Sequence, residues 1–126
     1  MSKINVLIAG STGHIGVQLT KILANHKKVN IKYLCGNTSI GKKISYYDKN
    51  LAKYKLPKII KFNKKLLLNI DVVFTALPNG ESQKISNQLL NNNTLIDLSA
   101  DFRLRNAKTY LKYYKIKHSA INIIKN

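Results

Sequence analysis

The sequence predicts an α/β domain with a mostly parallel sheet and helices packed on its faces, on three observations. Short apolar runs alternate along the chain with amphipathic stretches. The first run, Ile4 to Ala9, is apolar apart from Asn5, the pattern of a strand buried on both faces. It then enters Gly10-Ser11-Thr12-Gly13-His14-Ile15-Gly16, glycines spaced as GxxGxxG, and an amphipathic stretch follows.

Residues 3–9 form the first strand. Residues 15–25 form a helix, with Ile15, Leu19, Ile22 and Leu23 at helical spacing to face the sheet. Residues 31–35 are the second strand, and 36–56 a loop with short pieces of structure. Residues 58–62 are a short third strand, and 63–69 a helical turn in which Asn63 suits the N-cap. Residues 71–76 are the fourth strand, ending in Leu77-Pro78-Asn79-Gly80, a turn by composition. Residues 81–92 form a helix carrying Ile85, Leu89 and Leu90 on one face, and 94–98 the fifth strand. Residues 99–105 are a loop and 107–115 a last helix. This order is Rossmann-like, and ligands of such sheets bind beyond the carboxyl ends of the strands. The segments 10–16, 36–43, 77–80 and 99–105 therefore share one rim.

At 126 residues the chain amounts to one domain, long enough to bury a core. It has no apolar run of 18 residues, and Met1-Ser2-Lys3 leads directly into the first strand without room for a leader, so a soluble cytoplasmic protein is expected. One cysteine, Cys35, excludes an internal disulfide and argues against a structural zinc site; no metal is expected. The net charge of +17 raises the question of a nucleic-acid partner. Yet twenty of the 22 basic residues are lysine, scattered rather than clustered. Lysine, asparagine and isoleucine make up 51 of the 126 residues, and all three have AT-rich codons. Genome composition is the simpler cause, and neither a nucleic-acid nor a membrane partner is expected. Tyr110, Tyr113 and Tyr114 follow helical packing spacing rather than marking a stacking face.

The glycine-spaced turn is suited to cradling a pyrophosphate. Gly10 permits the sharp turn off the strand, Gly13 lets backbone approach phosphate where a Cβ would collide, and Gly16 lets the helix pack on the strand with its N-terminus toward the anion. An NAD site usually ends its second strand in a carboxylate that bonds the ribose 2′-hydroxyl. Here that position falls on Cys35-Gly36-Asn37, without a carboxylate, while Thr38 and Ser39 offer hydroxyls and Lys42 and Lys43 positive charge. NADP is thus the expected cofactor.

With these residues in view, the whole chain resembles the N-terminal part of the N-acetyl-gamma-glutamyl-phosphate reductase family. The resemblance rests on the glycine turn, on Gly41-Lys42, on the run from Asp71 through Leu77-Pro78-Asn79-Gly80-Glu81-Ser82, and most specifically on Ile96-Asp97-Leu98-Ser99-Ala100-Asp101-Phe102-Arg103-Leu104. The stretch from Tyr110 to His118 is similar to the family's tyrosine-rich helix and following histidine. The resemblance implies reduction of N-acetyl-glutamyl phosphate to the semialdehyde, a step of arginine biosynthesis. A cysteine thiolate expels phosphate, NADPH delivers hydride to the thioester, and a histidine serves as acid/base. It also implies a homo-oligomeric full-length enzyme acting on a small acyl phosphate.

The family's Asn-Pro-Gly-Cys segment and catalytic histidine are not in this sequence, so no catalytic residue is assigned and the chain is expected to be an incomplete cofactor domain. Cofactor contacts are expected at Gly10, Ser11, Thr12, Gly13, His14, Ile15, Gly16, Asn37, Thr38, Lys42, Leu77 and Pro78, and substrate contacts at Ser99 and Arg103. Two readings of Ser99, Asp101 and Arg103 stay open: a rim loop whose guanidinium holds a substrate anion, or a capping and ion-pair network. Gly36-Asn37 stand where relatives often carry Ser-Arg, so the usual arginine clamp on the 2′-phosphate is absent and Lys42 must substitute. Alternatives are a related reductase acting on a carrier-protein-bound aminoadipyl phosphate in lysine biosynthesis, and a non-catalytic dinucleotide-binding module.

Overall fold

The computed structural model describes residues 3–77 and 81–98. Five strands form one sheet: β1 (Ile4–Ala9), β2 (Val29–Cys35), β3 (Ile59–Ile60), β4 (Val72–Thr75) and β5 (Thr94–Asp97). All pairings are parallel, in the order β3-β2-β1-β4-β5. The chain builds outward from β1 to β3, then crosses back to lay β4 on the other side of β1. That reversal leaves a crevice beyond the carboxyl ends of β1 and β4, where doubly wound sheets bind ligands. The expected Rossmann-like fold is the one observed.

β1 shows why the sheet is buried on both sides. Val6 and Ile8 point into a core covered by α1 (His14–Ala24), while Leu7 and Ala9 point into a second core covered by α2 (Glu81–Ser86). β4 alternates likewise, with Val72 and Phe74 on the α1 side and Val73 on the α2 side. β2 departs from this regularity. Val6 pairs with Ile31 but Leu7 with Tyr33, so Lys32 is an extra residue. One inserted residue reverses the alternation. Ile31 and Leu34 consequently both reach the α1 side, and Cys35 falls on the α2 side.

Of the expected Ile15, Leu19, Ile22 and Leu23, Leu19 and Leu23 are buried in the α1-side core and Ile15 packs against it, while Gly16, Val17 and Thr20 are buried with them. Ile15 and Ile22 are only half-buried. The helix approaches the sheet over Gly16, which turns the i, i+3, i+4, i+7 row beginning there toward the core. Within that row the Thr20 hydroxyl donates to the Gly16 carbonyl at 2.7 Å, which satisfies a buried polar group locally.

Between β2 and β3 lie two short 3₁₀ turns, Ile44–Tyr46 and Lys49–Lys53, which drop Ile44 and Leu51 into the α1-side core. Asp48 caps the second through Asn50 N and pairs with Lys21 of α1 at 3.0 Å. β3 is shorter than expected because the chain leaves the sheet for the turn Lys64–Leu67, which Asn63 caps by accepting from Lys65 N. α2 is also shorter than expected, six residues instead of 81–92. Past Ser86 the backbone tightens to i−3 bonds, Gln88 N to the Ile85 carbonyl and Leu89 N to the Ser86 carbonyl. Beyond them the Asn93 side chain accepts from Leu90 N and donates to the Leu67 and Ile70 carbonyls, an arrangement that competes with continued helix. Leu89 and Leu90 still pack against the α2-side core. The rest of the expected 77–80 turn, the 99–105 loop and the last helix lie outside the described residues. No helix among the described residues is long and apolar enough to cross a membrane.

Candidate functional site

The three glycines after β1 have three different physical reasons. Gly10 lies at φ +83°, and a Cβ there would come 2.4 Å from the Ala76 carbonyl oxygen beyond β4. Gly16 meets the turn from the other side: its Cβ would stand 2.0 Å from the Gly10 carbonyl oxygen. Both are therefore required by the protein's own packing. Gly13 is not. Its φ of −78° and ψ of 169° suit any residue, and a Cβ would meet only the Gly10 oxygen, at 3.6 Å. Nothing inside the described protein explains a glycine at 13; open space for an approaching ligand does.

Gly13 is also the N-cap of α1 and supplies no capping side chain, and the first turn of that helix holds no acidic residue. The positive end of an eleven-residue helix is thus not neutralised by its own cap or first turn. His14 is exposed at its first position, Ile15 turns partly into the core, and Thr12 lies beside Gly36, where an added Cβ would meet Thr12 Cγ2 at 3.0 Å. Ser11 is buried instead of facing the rim. Its N–H, its hydroxyl and the Gly10 N–H all donate to the Cys35 carbonyl at 3.0 Å, riveting the turn to β2.

Beside the turn a cleft of about 200 Å³ opens between the ends of β1 and β2 and the face of α2. Gly10, Asn37, Leu77, Glu81, Lys84 and Gln88 line its walls, and Cys35 lies in it. Burial pushes the Cys35 thiol up to about 12, far from a thiolate at neutral pH. The sequence reading found no carboxylate at the end of β2. The fold brings one in from α2: the Asn37 amide donates to Glu81 Oε1 at 3.4 Å, 44 positions away along the chain. No local signal marks that approach, because it depends on where α2 docks.

On the other side of Asn37 the loop is held firmly. Gly41 N donates to the Ile59 carbonyl and Ile59 N to the Lys42 carbonyl, at 2.7 and 2.9 Å. Lys42 is therefore fixed at its backbone, and its ammonium lies 4.4 Å from the centre of the Tyr46 ring. Thr38 is exposed next to Ser39, whose hydroxyl is hydrogen-bonded to that of Tyr47.

Beneath the rim a polar chain joins three elements. Ser82 Oγ of α2 donates to Thr75 Oγ1 of β4 at 2.6 Å, and Thr75 Oγ1 donates to Asp97 Oδ1 of β5 at 3.1 Å. Thr75 is fully buried. The signal was visible as polar residues ending two apolar strands, although the sequence reading did not use it. Pro78, Ser99 and Arg103 lie outside the described residues. Among the described residues no group of three or more His, Cys, Asp or Glu side chains could hold a metal.

The family described as "Semialdehyde dehydrogenase, NAD binding domain" matches residues 5–122. The N-acetyl-gamma-glutamyl-phosphate reductase of Ehrlichia ruminantium (strain Gardel) is 39% identical over 114 residues, 89% of this chain and 33% of the relative. The enzyme of the same name from Campylobacter jejuni is 41% identical over 126 residues, 98% of this chain and 36% of the relative. The chain thus spans about a third of the length of these curated relatives. Among solved structures, aspartate semialdehyde dehydrogenase with NADP from Candida albicans superposes with a TM-score of 0.60 at 20% identity, over 81% of this chain and 31% of that one. That likeness bears on the fold.

Proposed function

This chain belongs to the semialdehyde dehydrogenase NAD-binding domain family, and from that premise we propose that it holds NADPH for the reduction of N-acetyl-glutamyl phosphate to its semialdehyde. The observation that carries the reading is Gly13, a glycine whose conformation and neighbours would accept a side chain but whose outer face is kept open.

The pyrophosphate lies over Gly13, against the uncapped first turn of α1, where Thr12 and His14 flank it and the helix dipole favours negative charge. Ser11 acts from below by holding the turn on β2 through Cys35. The adenosine half extends along the end of β2, past Asn37 toward Thr38 and Lys42, with Leu77 on the opposite wall. When bound, NADPH supplies the hydride. The residues of this chain hold it in register with the sheet and shield it from water on the cleft side. By the family resemblance, Ser99 and Arg103 face the substrate.

Cys35 does not serve as the acyl-transfer nucleophile. It is 2% exposed, its thiol is held protonated, and it lies at the end of β2. We assign the nucleophile to sequence other than these 126 residues. The test is calorimetric titration of the purified chain with NADPH alongside an assay for aldehyde formation from the acyl phosphate. Binding without turnover is expected. Absence of NADPH binding would overturn the cofactor reading, and robust turnover would overturn the assignment of the nucleophile elsewhere.

A further inference from the structure

We propose that Tyr47 is a specificity-determining residue for the phosphate that distinguishes NADP from NAD, its hydroxyl completing with Ser39, Thr38 and Lys42 an anion seat past the end of β2. This rests on the cofactor reading above and adds to it a residue that no motif singles out.

Four observations place the group. First, Ser39 and Tyr47 are eight positions apart, yet their hydroxyls are hydrogen-bonded to each other. Second, Ser39 holds φ 60°, the left-handed region that a residue with a Cβ disfavours, and the fold keeps it there. Third, the ammonium is not on a free loop. Lys42 N donates to the Ser39 carbonyl at 3.1 Å, its own carbonyl accepts from Ile59 N, and its side chain lies over Tyr46, whose ring packs edge-on against Tyr47 at 5.2 Å. Fourth, the loop carrying the group begins at Gly36, packed against Thr12 of the glycine turn, so the seat and the cradle share one rim.

The chemistry follows from donors. The Ser39 and Thr38 hydroxyls, with the charge of Lys42 behind them, hold the Tyr47 phenol below its usual acidity range. Two hydroxyls that share one hydrogen bond use one proton between them, so the Ser39–Tyr47 pair keeps one proton to give outward whichever oxygen donates. A phosphate monoester offers acceptors only, so the outward hydroxyl proton of this pair beside one ammonium suits it, whereas a ribose 2′-hydroxyl gains little there. Lys42 supplies charge without direction, and the hydroxyls supply direction. The seat compensates for the absent arginine clamp.

The test titrates the purified chain and its Tyr47→Phe variant with adenosine 2′,5′-bisphosphate and with AMP. Losing one donor to a dianion should weaken the bisphosphate by roughly five- to tenfold and leave AMP within about twofold. Ser39→Gly, which relaxes the backbone while removing a hydroxyl, should shift the same ratio in the same direction. Thermal melts of each variant check that the fold is intact. If wild type binds both probes and the ratio is unchanged in Tyr47→Phe, or both affinities fall together, the assignment of Tyr47 is overturned. If wild type binds neither probe nor NADPH, the cofactor reading falls with it.

Discussion

Gly16 and Gly10 meet where a side chain would have to be: a Cβ on Gly16 would lie 2.0 Å from the Gly10 carbonyl oxygen, while a Cβ on Gly13 between them would come no nearer than 3.6 Å to that same oxygen. The same residue type thus answers to packing at two positions and to a ligand at the third. Gly16→Ala should destabilise the chain by about 3 kcal/mol or more, since neither helix nor turn can retreat without losing contacts. Gly13→Val should melt within a few degrees of wild type and lose NADPH binding. Thermal melts paired with calorimetry separate the two. A Gly13→Val protein that still binds NADPH would remove the basis of the cradle.

NADPH should bind more tightly than NADH, and Lys42→Glu should reduce or reverse the difference. One ammonium aided by hydroxyls, without a bidentate guanidinium, supports a preference of about 1–2 kcal/mol, on the order of tenfold. The preference should shrink as salt rises, because Lys42 is exposed and the interaction is screened. Equal affinities at low salt, or a preference that ignores the mutation, would count against the seat after β2.

Glu81 acts in the opposite direction. Its carboxylate approaches the end of β2 through Asn37, and from the wall of the cleft it would repel a 2′-phosphate bound in the proposed seat. Glu81→Gln keeps the hydrogen-bonding shape and removes the charge. It should raise NADPH affinity about two- to fivefold and change NADH affinity less, as expected for a screened charge near an anion. A fall in NADPH affinity would mean that Glu81 supports the cofactor instead of opposing it.

What the sequence made legible was governed by local chemistry. The succession of the five strands along the chain, the cap at Asn63 and the glycine turn follow from hydrophobic period and turn residues, and each stands where it was expected. The extra residue Lys32 in β2 was invisible because a bulge changes no composition, only register. α2 was read as twice its length because Leu89 and Leu90 keep helical spacing while Asn93 draws their backbone into a turn. The meetings of Asn37 with Glu81 and of Ser39 with Tyr47 depend on docking and on a left-handed backbone, neither of which one sequence displays.

Thr75→Val should cost about 1–3 kcal/mol, because it keeps the shape of a fully buried residue but removes the hydroxyl that accepts from Ser82 Oγ and donates to Asp97, leaving only the direct 3.1 Å bond between those two of this network. Chemical denaturation measures it. The change should also weaken NADPH binding modestly, since β4 and α2 flank the cleft and share this chain of hydroxyls. Wild-type stability in Thr75→Val would show that the network is replaceable by apolar packing.

Cys35 tests the cleft from beneath. Burial raises its thiol from an ordinary 9.0 to about 12, so the folded state favours the neutral form. Below pH 9 the thiol is protonated folded and unfolded alike, and the stability it permits is fully present. As pH rises from 9 toward 12 the unfolded chain releases the proton first, so folding stability falls across that window. Lysines and tyrosines titrate there too, so the informative quantity is the difference between wild type and Cys35→Ala, which should narrow as pH rises above 9. At pH 8 the native thiol should react with an aromatic disulfide reagent at least a hundredfold more slowly than the unfolded chain, on the order expected of a buried, protonated thiol. A rate close to that of the unfolded chain would place Cys35 at the surface, and the floor of the cleft would have to be drawn elsewhere.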